Sequence, residues 1–249
     1  MYKAVIFDLD GTLIHTDQTV SDRALNAIDK CRERGMKILL ATARPERTAE
    51  MYCNMIDFDA KAFSNGARVV CGDKITEVTI PFESTAKVLE TLDGFGTRLT
   101  IDTGDAAYSN KFVGDYDTII TDDLTAAAEK LNVLKVMAHI VDNREILNIE
   151  LPEGLYFSVS GGYYMQIMNR NATKWLGVKA MLDHLGILPE EAVYFGDDFD
   201  DIEPIRKCGI GVAPANAIAQ VKAAADHIVD SNNDDGVAKF IESVILNNV

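Results

Sequence analysis

Met1-Tyr2-Lys3-Ala4-Val5-Ile6-Phe7-Asp8-Leu9-Asp10-Gly11-Thr12 sets an unbroken apolar run, Ala4 to Phe7, directly against two aspartates and a glycine. A short, continuously apolar run suits a strand buried on both faces of a parallel sheet rather than a half-exposed one. If the strand continues past Phe7, alternation points Asp8 and Asp10 the same way. Two like charges held together call for compensation. A divalent cation between them would offset the repulsion, leaving one carboxylate to attack phosphorus and the other to exchange protons with the leaving oxygen. The plainer reading is a strand followed by an acidic turn, since Asp and Gly are common turn residues. An apolar strand ending in Asp-Leu-Asp-Gly-Thr is the more specific pattern.

Outward from this stretch the chain alternates strand and helix. Ser21 can cap a helix whose Leu25, Ile28 and Cys31 share one face and which Gly35 ends, before the apolar run Ile38-Leu39-Leu40. Pro45 can start a helix running to about Met55, and Ala62 to Ser64 reads as a short strand before the turn signal Asn65-Gly66. The last third has the same rhythm: a helix from Lys174 to Leu185 ending at Gly186, a strand from Ala192 to Phe195, a helix from Ile202 to Lys207 and a strand from Gly209 to Val212. Parallel strands need helical crossovers, so the expected class is α/β, a doubly wound parallel sheet whose site lies at the strand C-termini. From about Pro81 to about Ser160 the pattern changes. β-type runs at Arg98 to Ile101, Lys135 to Ile140 and Tyr156 to Val159 mix with helix-like stretches around Val88 and Ala127, which predicts an inserted α+β module. The expected division is a core of residues 1–80 and 161–249, with the insertion at 81–160. Within the insertion, Asp102 and Asp105 read as solvated loop residues.

The 249 residues, 47% of them hydrophobic, can form a sizeable core. Cys31, Cys53, Cys71 and Cys208 are scattered, with neither metal-ligand spacing nor disulfide density, which fits a reducing compartment. The start meets acidic residues before a signal-peptide apolar region develops, and nowhere do roughly 20 apolar residues run together as a span requires. A cytoplasmic location without membrane attachment is the expectation. A net charge of −15 and no basic cluster argue against nucleic acid as a partner. An anionic small molecule would meet the same field, so its site needs a cation or placed Lys and Arg side chains.

Four further stretches carry candidate chemistry. Gly196-Asp197-Asp198-Phe199-Asp200-Asp201 follows a second apolar strand, and its carboxylates suggest a hard cation; alternatively, Asp201 caps the helix beginning near Ile202. Thr42, in Ala41-Thr42-Ala43-Arg44, could hold phosphate oxygens together with nearby backbone N–H groups, or be a plain N-cap. Lys174 opens a helix, an unusual place for a cation. There it could neutralise phosphate and keep the nucleophile ionised, or lie on the surface. Asn65-Gly66 is either a site element or only a hairpin turn.

In this order, Asp-Leu-Asp-Gly-Thr, the Thr after a core strand, the Lys and the Gly-Asp-x-x-x-Asp segment resemble the motifs of the haloacid dehalogenase superfamily. The match is closer to its Cof-like hydrolases, whose cap is inserted between the second and third motifs. Ser64-Asn65-Gly66-Ala67 resembles their Ser-Asn-Gly-Ala stretch. Gly211-Val212-Ala213, Asn216-Ala217, Lys222 to Asp226 and Asp235-Gly236-Val237-Ala238 resemble their C-terminal region. The resemblance covers nearly the whole core and implies a Rossmann-like core with an inserted α+β cap. It implies a Mg²⁺-dependent phosphatase of small phosphorylated metabolites, sugar phosphates first among them, with Asp8 as nucleophile and metal ligand. Asp10 would be the general acid/base and give the metal a backbone carbonyl. Thr42, Ala43, Asn65 and Lys174 would adjoin the phosphate, and Asp197 and Asp201 would hold the metal, Asp201 through water or in support. Ala43 replaces the usual Gly, and Asp200 the usual Asn. Rival readings are a phosphomutase using the same aspartyl-phosphate and a phosphate- or metal-binding regulator without turnover. A dehalogenase would leave Asp10 without a purpose, because a halide leaving group needs no proton.

Overall fold

The computed structural model describes residues 2–112 and 118–247. The chain opens with β1 (Ala4–Phe7), α1 (Asp22–Glu33), β2 (Lys37–Ala41), α2 (Glu46–Met55) and β3 (Ala60–Phe63), then adds β4 (Arg68–Cys71) and β5 (Lys74–Glu77). The middle holds α3 (Phe82–Asp93), β6 (Leu99–Asp102), β7 (Ala107–Ser109), β8 (Thr118–Ile120), α4 (Leu124–Ala128), β9 (Lys135–His139), β10 (Leu155–Ser160) and β11 (Tyr164–Asn169). The chain closes with α5 (Lys174–Leu185), β12 (Ala192–Phe195), α6 (Ile202–Lys207), β13 (Ile210–Pro214), α7 (Ala219–Ala224), β14 (His227–Val229) and α8 (Gly236–Phe240).

The first sheet runs β14-β13-β12-β1-β2-β3-β4-β5. It is parallel from β14 to β3 and antiparallel beyond. Its central strands are buried on both faces, so side chains alternate between two cores. Val5 and Phe7 of β1, with Val193 and Phe195 of β12, enter the core covered by α1, α2 and α8. Ala4 and Ile6, with Ala192 and Tyr194, enter the core covered by α5, α6 and α7. Each such large apolar side chain contributes about 1.5–3 kcal/mol over an exposed one. The helix ends follow local chemistry: Ser21 caps α1 through the Ala24 N–H at 3.0 Å, and Thr173 caps α5 through the Leu176 N–H at 3.2 Å. Gly186 in the left-handed region ends α5.

The second sheet runs β10-β11-β9-β6-β7-β8 and is antiparallel except between β7 and β8. One face packs Ile101, Val136, Ala138 and Ile167 against Val88, Leu89 and Leu92 of α3 and Leu124 of α4. The other face carries the alternate residues, among them Thr100, Asp102, Lys135 and Gln166. The class is therefore α/β, a doubly wound parallel sheet with an inserted α+β part.

Several local expectations are corrected. The strand expected at Ala62 to Ser64 ends at Phe63, because Ser64, Asn65 and Gly66 all have positive φ. β4 and β5 have no counterpart in the reading of the sequence; β5 is largely solvent-facing and lacks an apolar run. β11 extends the second sheet to Asn169, past Ser160, because it pairs residue for residue with β10. Asp102 is not a solvated loop residue. It ends β6, is 1% exposed, and lies 2.7 Å from the Arg47 guanidinium. Among the described residues, no helix is long and apolar enough to cross a membrane.

Candidate active site

After β1 the chain proceeds to β2 and β3 on one side and returns later as β12 and β13 on the other, so β1 and β12 flank the point where strand order reverses. Ligands of open α/β sheets lie at the carboxyl ends of strands at such a point. Asp8 follows β1 and Asp197 follows β12 with one residue between. The Asp8 N–H is tied to the Phe195 carbonyl at 3.0 Å.

Lys174, on the first turn of α5, is 3% exposed and reaches between the two loops. Its Nζ lies 3.0 Å from Asp8 Oδ1 and 2.6 Å from Asp201 Oδ1. The placement depends on a close helix approach. Gly66 abuts the start of α5, where an added Cβ would stand 2.3 Å from the Thr173 carbonyl oxygen. Asp201 takes two further backbone bonds at Oδ2, from the Asp197 and Asp198 N–H groups at 3.0 Å each, and one from the Tyr194 hydroxyl at Oδ1, 2.6 Å. Its side chain thus holds the Asp197 loop and does not cap α6. Thr12 donates to Asp197 Oδ1 at 2.8 Å, linking the two acidic loops.

Carboxylate oxygens of Asp8, Asp197 and Asp201 lie within 4.8 Å of one another. One ammonium faces three carboxylates. Burial pushes the Asp8 carboxyl well above the ordinary range; Lys174 opposes this, and Asp201 and Asp197 add to it. Burial and then Asp201 push Asp197 up to about 7. Burial works against the Lys174 charge, but Asp201 and Asp8 outweigh it and hold the ammonium well above the usual lysine value. An excess of buried, all-oxygen anionic donors fits a hard divalent cation.

The other expected residues surround this cluster. Asp10 is half-exposed and is gripped by Arg44, whose Nε and Nη2 each lie 2.6 Å from one of its oxygens. Thr42 is buried beyond β2. Its hydroxyl accepts the Arg44 N–H at 3.1 Å, and α2 starts only after Pro45, so Thr42 is not a helix cap. Asn65 is a turn residue that also touches the acidic loop: it sits at φ 55° in the β3–β4 connection, and its Nδ2 donates to Asp200 Oδ2 at 2.6 Å. Burial raises the Asp200 carboxyl, with Lys174 opposing. Ser158 of β10 reaches the same oxygen at 3.4 Å. Asp8, Asp10, Thr42, Ala43, Lys174 and Asp197 line one cleft of about 650 Å³, whose far wall is the polar face of the second sheet; Asn65 and Asp201 stand behind that lining.

The sequence of this cleft matches known proteins along its length. The sequence pattern of the haloacid dehalogenase-like hydrolases matches residues 5–241. The chain belongs to that family. This hydrolase is 23% identical to the 5-amino-6-(5-phospho-D-ribitylamino)uracil phosphatase YitU of Bacillus subtilis, over 96% of each chain. It is 24% identical to a phosphoglycolate phosphatase of Methanopyrus kandleri, over 98% of each. A solved haloacid dehalogenase-like hydrolase from Bacteroides thetaiotaomicron superimposes with a TM-score of 0.86 at 25% identity, covering 98% of this chain and 100% of that one. The subclass IIB sugar phosphatase BT4131 superimposes with a TM-score of 0.86 at 23% identity, covering 98% and 99%.

Four residues of this hydrolase's site were not singled out in the sequence. Thr12 lies in the Asp-Leu-Asp-Gly-Thr motif, which marks its position but not its bond to Asp197. Arg44 adjoins Thr42, Tyr194 lies within an apolar strand run and Lys135 opens a β-type run, and no local pattern marks any of the three.

Proposed function

We propose that this phosphatase hydrolyses small phosphomonoesters, sugar phosphates foremost, in two in-line steps through an aspartyl-phosphate on Asp8. The observation that carries the reading is the Lys174 ammonium bridging Asp8 and Asp201 beside Asp197, at the reversal point of the sheet. Asp8 Oδ1 is engaged by Lys174, and its other oxygen accepts no hydrogen bond among the described residues. That oxygen attacks phosphorus as the ester P–O bond breaks, and Asp10 gives its proton to the leaving oxygen. Asp10 then takes a proton from the water that attacks the acyl-phosphate, releasing orthophosphate and restoring Asp8. The carboxylates of Asp8 and Asp197 and the carbonyl of Asp10 would hold Mg²⁺, with Asp201 in support. The ion supplies electrostatic stabilisation of the phosphoryl oxygens. Lys174 shares that load and favours the ionised form of Asp8 against the effect of burial, while Thr42 and the Ala43 backbone hold phosphate oxygens.

The part inserted over residues 81–160, extended through β11, serves as a cap that excludes water and contacts the leaving group. The small phosphorylated compounds named for the two curated relatives are consistent with a substrate of this class. Phosphate release from p-nitrophenyl phosphate and a panel of sugar phosphates with Mg²⁺ tests the reading. Release that needs Mg²⁺ and is abolished in Asp8→Asn is the expected result. No release from folded, metal-bound wild type would overturn it in favour of a mutase or a non-catalytic binder.

A further inference from the structure

Among the described residues, four side-chain cations line the cleft. Three of them hold aspartates: Arg44 grips Asp10, Arg47 grips Asp102, and Lys174 bridges Asp8 and Asp201. Lys135 differs. It is 3% exposed, lines the cleft from β9, and its Nζ donates to two neutral acceptors, the Ala43 carbonyl oxygen at 3.0 Å and Gln166 Oε1.

Asp102 stands directly opposite Lys135 in the β6–β9 register, the natural partner for a cross-strand ion pair. Its carboxylate goes instead to Arg47, and its Oδ1 also accepts the Gly104 N–H at 2.8 Å. Asp200 is tied to Asn65. Among the described residues no carboxylate comes within ion-pair distance of Lys135, and Asp102 and Asp200 act on it only from further off. Burial accordingly pulls its ammonium down to about 8. A buried cation without a direct counter-charge is unfavourable unless a partner arrives. Of its three N–H donors, two are taken.

The position of Lys135 narrows what the partner is. Its bond to Ala43 places the ammonium beside the loop that follows Thr42, but its backbone belongs to the opposite wall, next to Gln166 and Asp102. On the mechanism above, a phosphoryl group on Asp8 would already face Lys174, and the leaving group would be the part of the substrate that meets this wall. A neutral polyol would leave the charge as uncompensated as before. We propose that Lys135 is a specificity-determining residue that binds a second anionic group, carboxylate or phosphate, carried by the leaving group of the substrate. The inference rests on the phosphatase reading above and narrows it to sugar-acid phosphates or sugar bisphosphates.

Two matched pairs of substrates test this: 6-phosphogluconate against glucose 6-phosphate, and fructose 1,6-bisphosphate against fructose 6-phosphate. The first reads a carboxylate, the second a phosphate. Wild type favours the anion-bearing member of at least one pair, by tenfold or more in kcat/KM and chiefly through KM. Lys135→Met erases most of that preference, on the order of tenfold to a hundredfold, as loss of one charged hydrogen bond does, and Lys135→Arg restores part of it. A wild type that favours neither anionic substrate overturns the proposal, as does a Lys135→Met protein that loses both members of the preferred pair equally. Should Lys135→Met not unfold cooperatively, the wild-type preference alone decides. Calorimetric binding of the same pairs to Asp8→Asn protein reads the preference without turnover, so a failed phosphatase reading and a failed role for Lys135 give different results.

Discussion

Asp201 takes four hydrogen bonds on two oxygens, from Lys174, Tyr194 and the N–H groups of Asp197 and Asp198. A carboxylate has about four lone-pair sites, so a cation reaching Asp201 directly would have to displace a donor. Its role is therefore to fix two other groups: the ammonium and the loop bearing Asp197. Tyr194 is fully buried and its hydroxyl is spent on this one bond. Tyr194→Phe keeps the ring in its core and removes only the donor. It should lower unfolding free energy by about 1.5–3 kcal/mol, the range for a hydrogen bond to a charged group. Urea titration checks this, and an unchanged midpoint would mean that Lys174 and the backbone hold Asp201 without help. Lys174→Met is more severe, since it leaves Asp8 and Asp201 facing each other without a cation; it should abolish phosphate release and destabilise the fold by about 3–5 kcal/mol.

At the scale of elements, what was legible in the sequence was what one period or one cap dictates. The run Ala4 to Phe7 is a strand because all four side chains are apolar and both faces are covered. α1, α2 and α5 start where Ser21, Pro45 and Lys174 were expected to start them. β5 was not legible because an edge strand needs no apolar pattern, and the Asp102–Arg47 pair was not because it joins elements far apart in the chain. Likewise, the alternation of Thr100 and Asp102 with Leu99 and Ile101 shows that one face is polar but not what that face meets. In the candidate site, the loops after β1 and β12 were readable as motifs, while the contacts joining them were not. The contact of α5 with the β3–β4 turn depends on glycine on both sides. A Cβ on Gly177 would stand 2.8 Å from Gly66 Cα and 2.9 Å from Ala62 Cβ. Gly177→Ala therefore has to push α5 away from the sheet, and Lys174 moves with it. Stability should fall by about 1–3 kcal/mol, as in other overpacked cores. The kcat should fall by more than tenfold, because a displacement near 1 Å at a positioned group suffices for about a hundredfold. Unfolding curves and kcat measured together check this, and a loss of stability with kcat intact would separate α5 packing from Lys174 placement.

For the whole molecule, the folded state gathers carboxylates that the unfolded chain keeps apart, on a chain of net charge −15. Asp197 is pushed up to about 7 in the fold, and Asp8 is raised as well, mainly by burial in both cases. Unfolded aspartates titrate near 3.9, so between about pH 4 and 7 the folded metal-free protein binds more protons than the unfolded one. The stability these two carboxyls contribute therefore falls as pH rises through that window. A divalent cation reverses the trend because it takes the place of those protons, so binding it releases them and tightens as pH rises toward 7. At a hundred times its Kd, a single ion binding only the native state adds about 2.7 kcal/mol. For a chain of this size that is about 5–10 °C in Tm. Thermal unfolding with Mg²⁺ and with EDTA, at pH 5.5 and pH 8, should therefore show a small metal shift at the lower pH and a large one at the higher. The EDTA sample should melt earlier at pH 8 than at pH 5.5. Equal metal shifts at both pH values would mean that the bound ion does not displace protons from Asp8 and Asp197, and would place it away from these carboxylates.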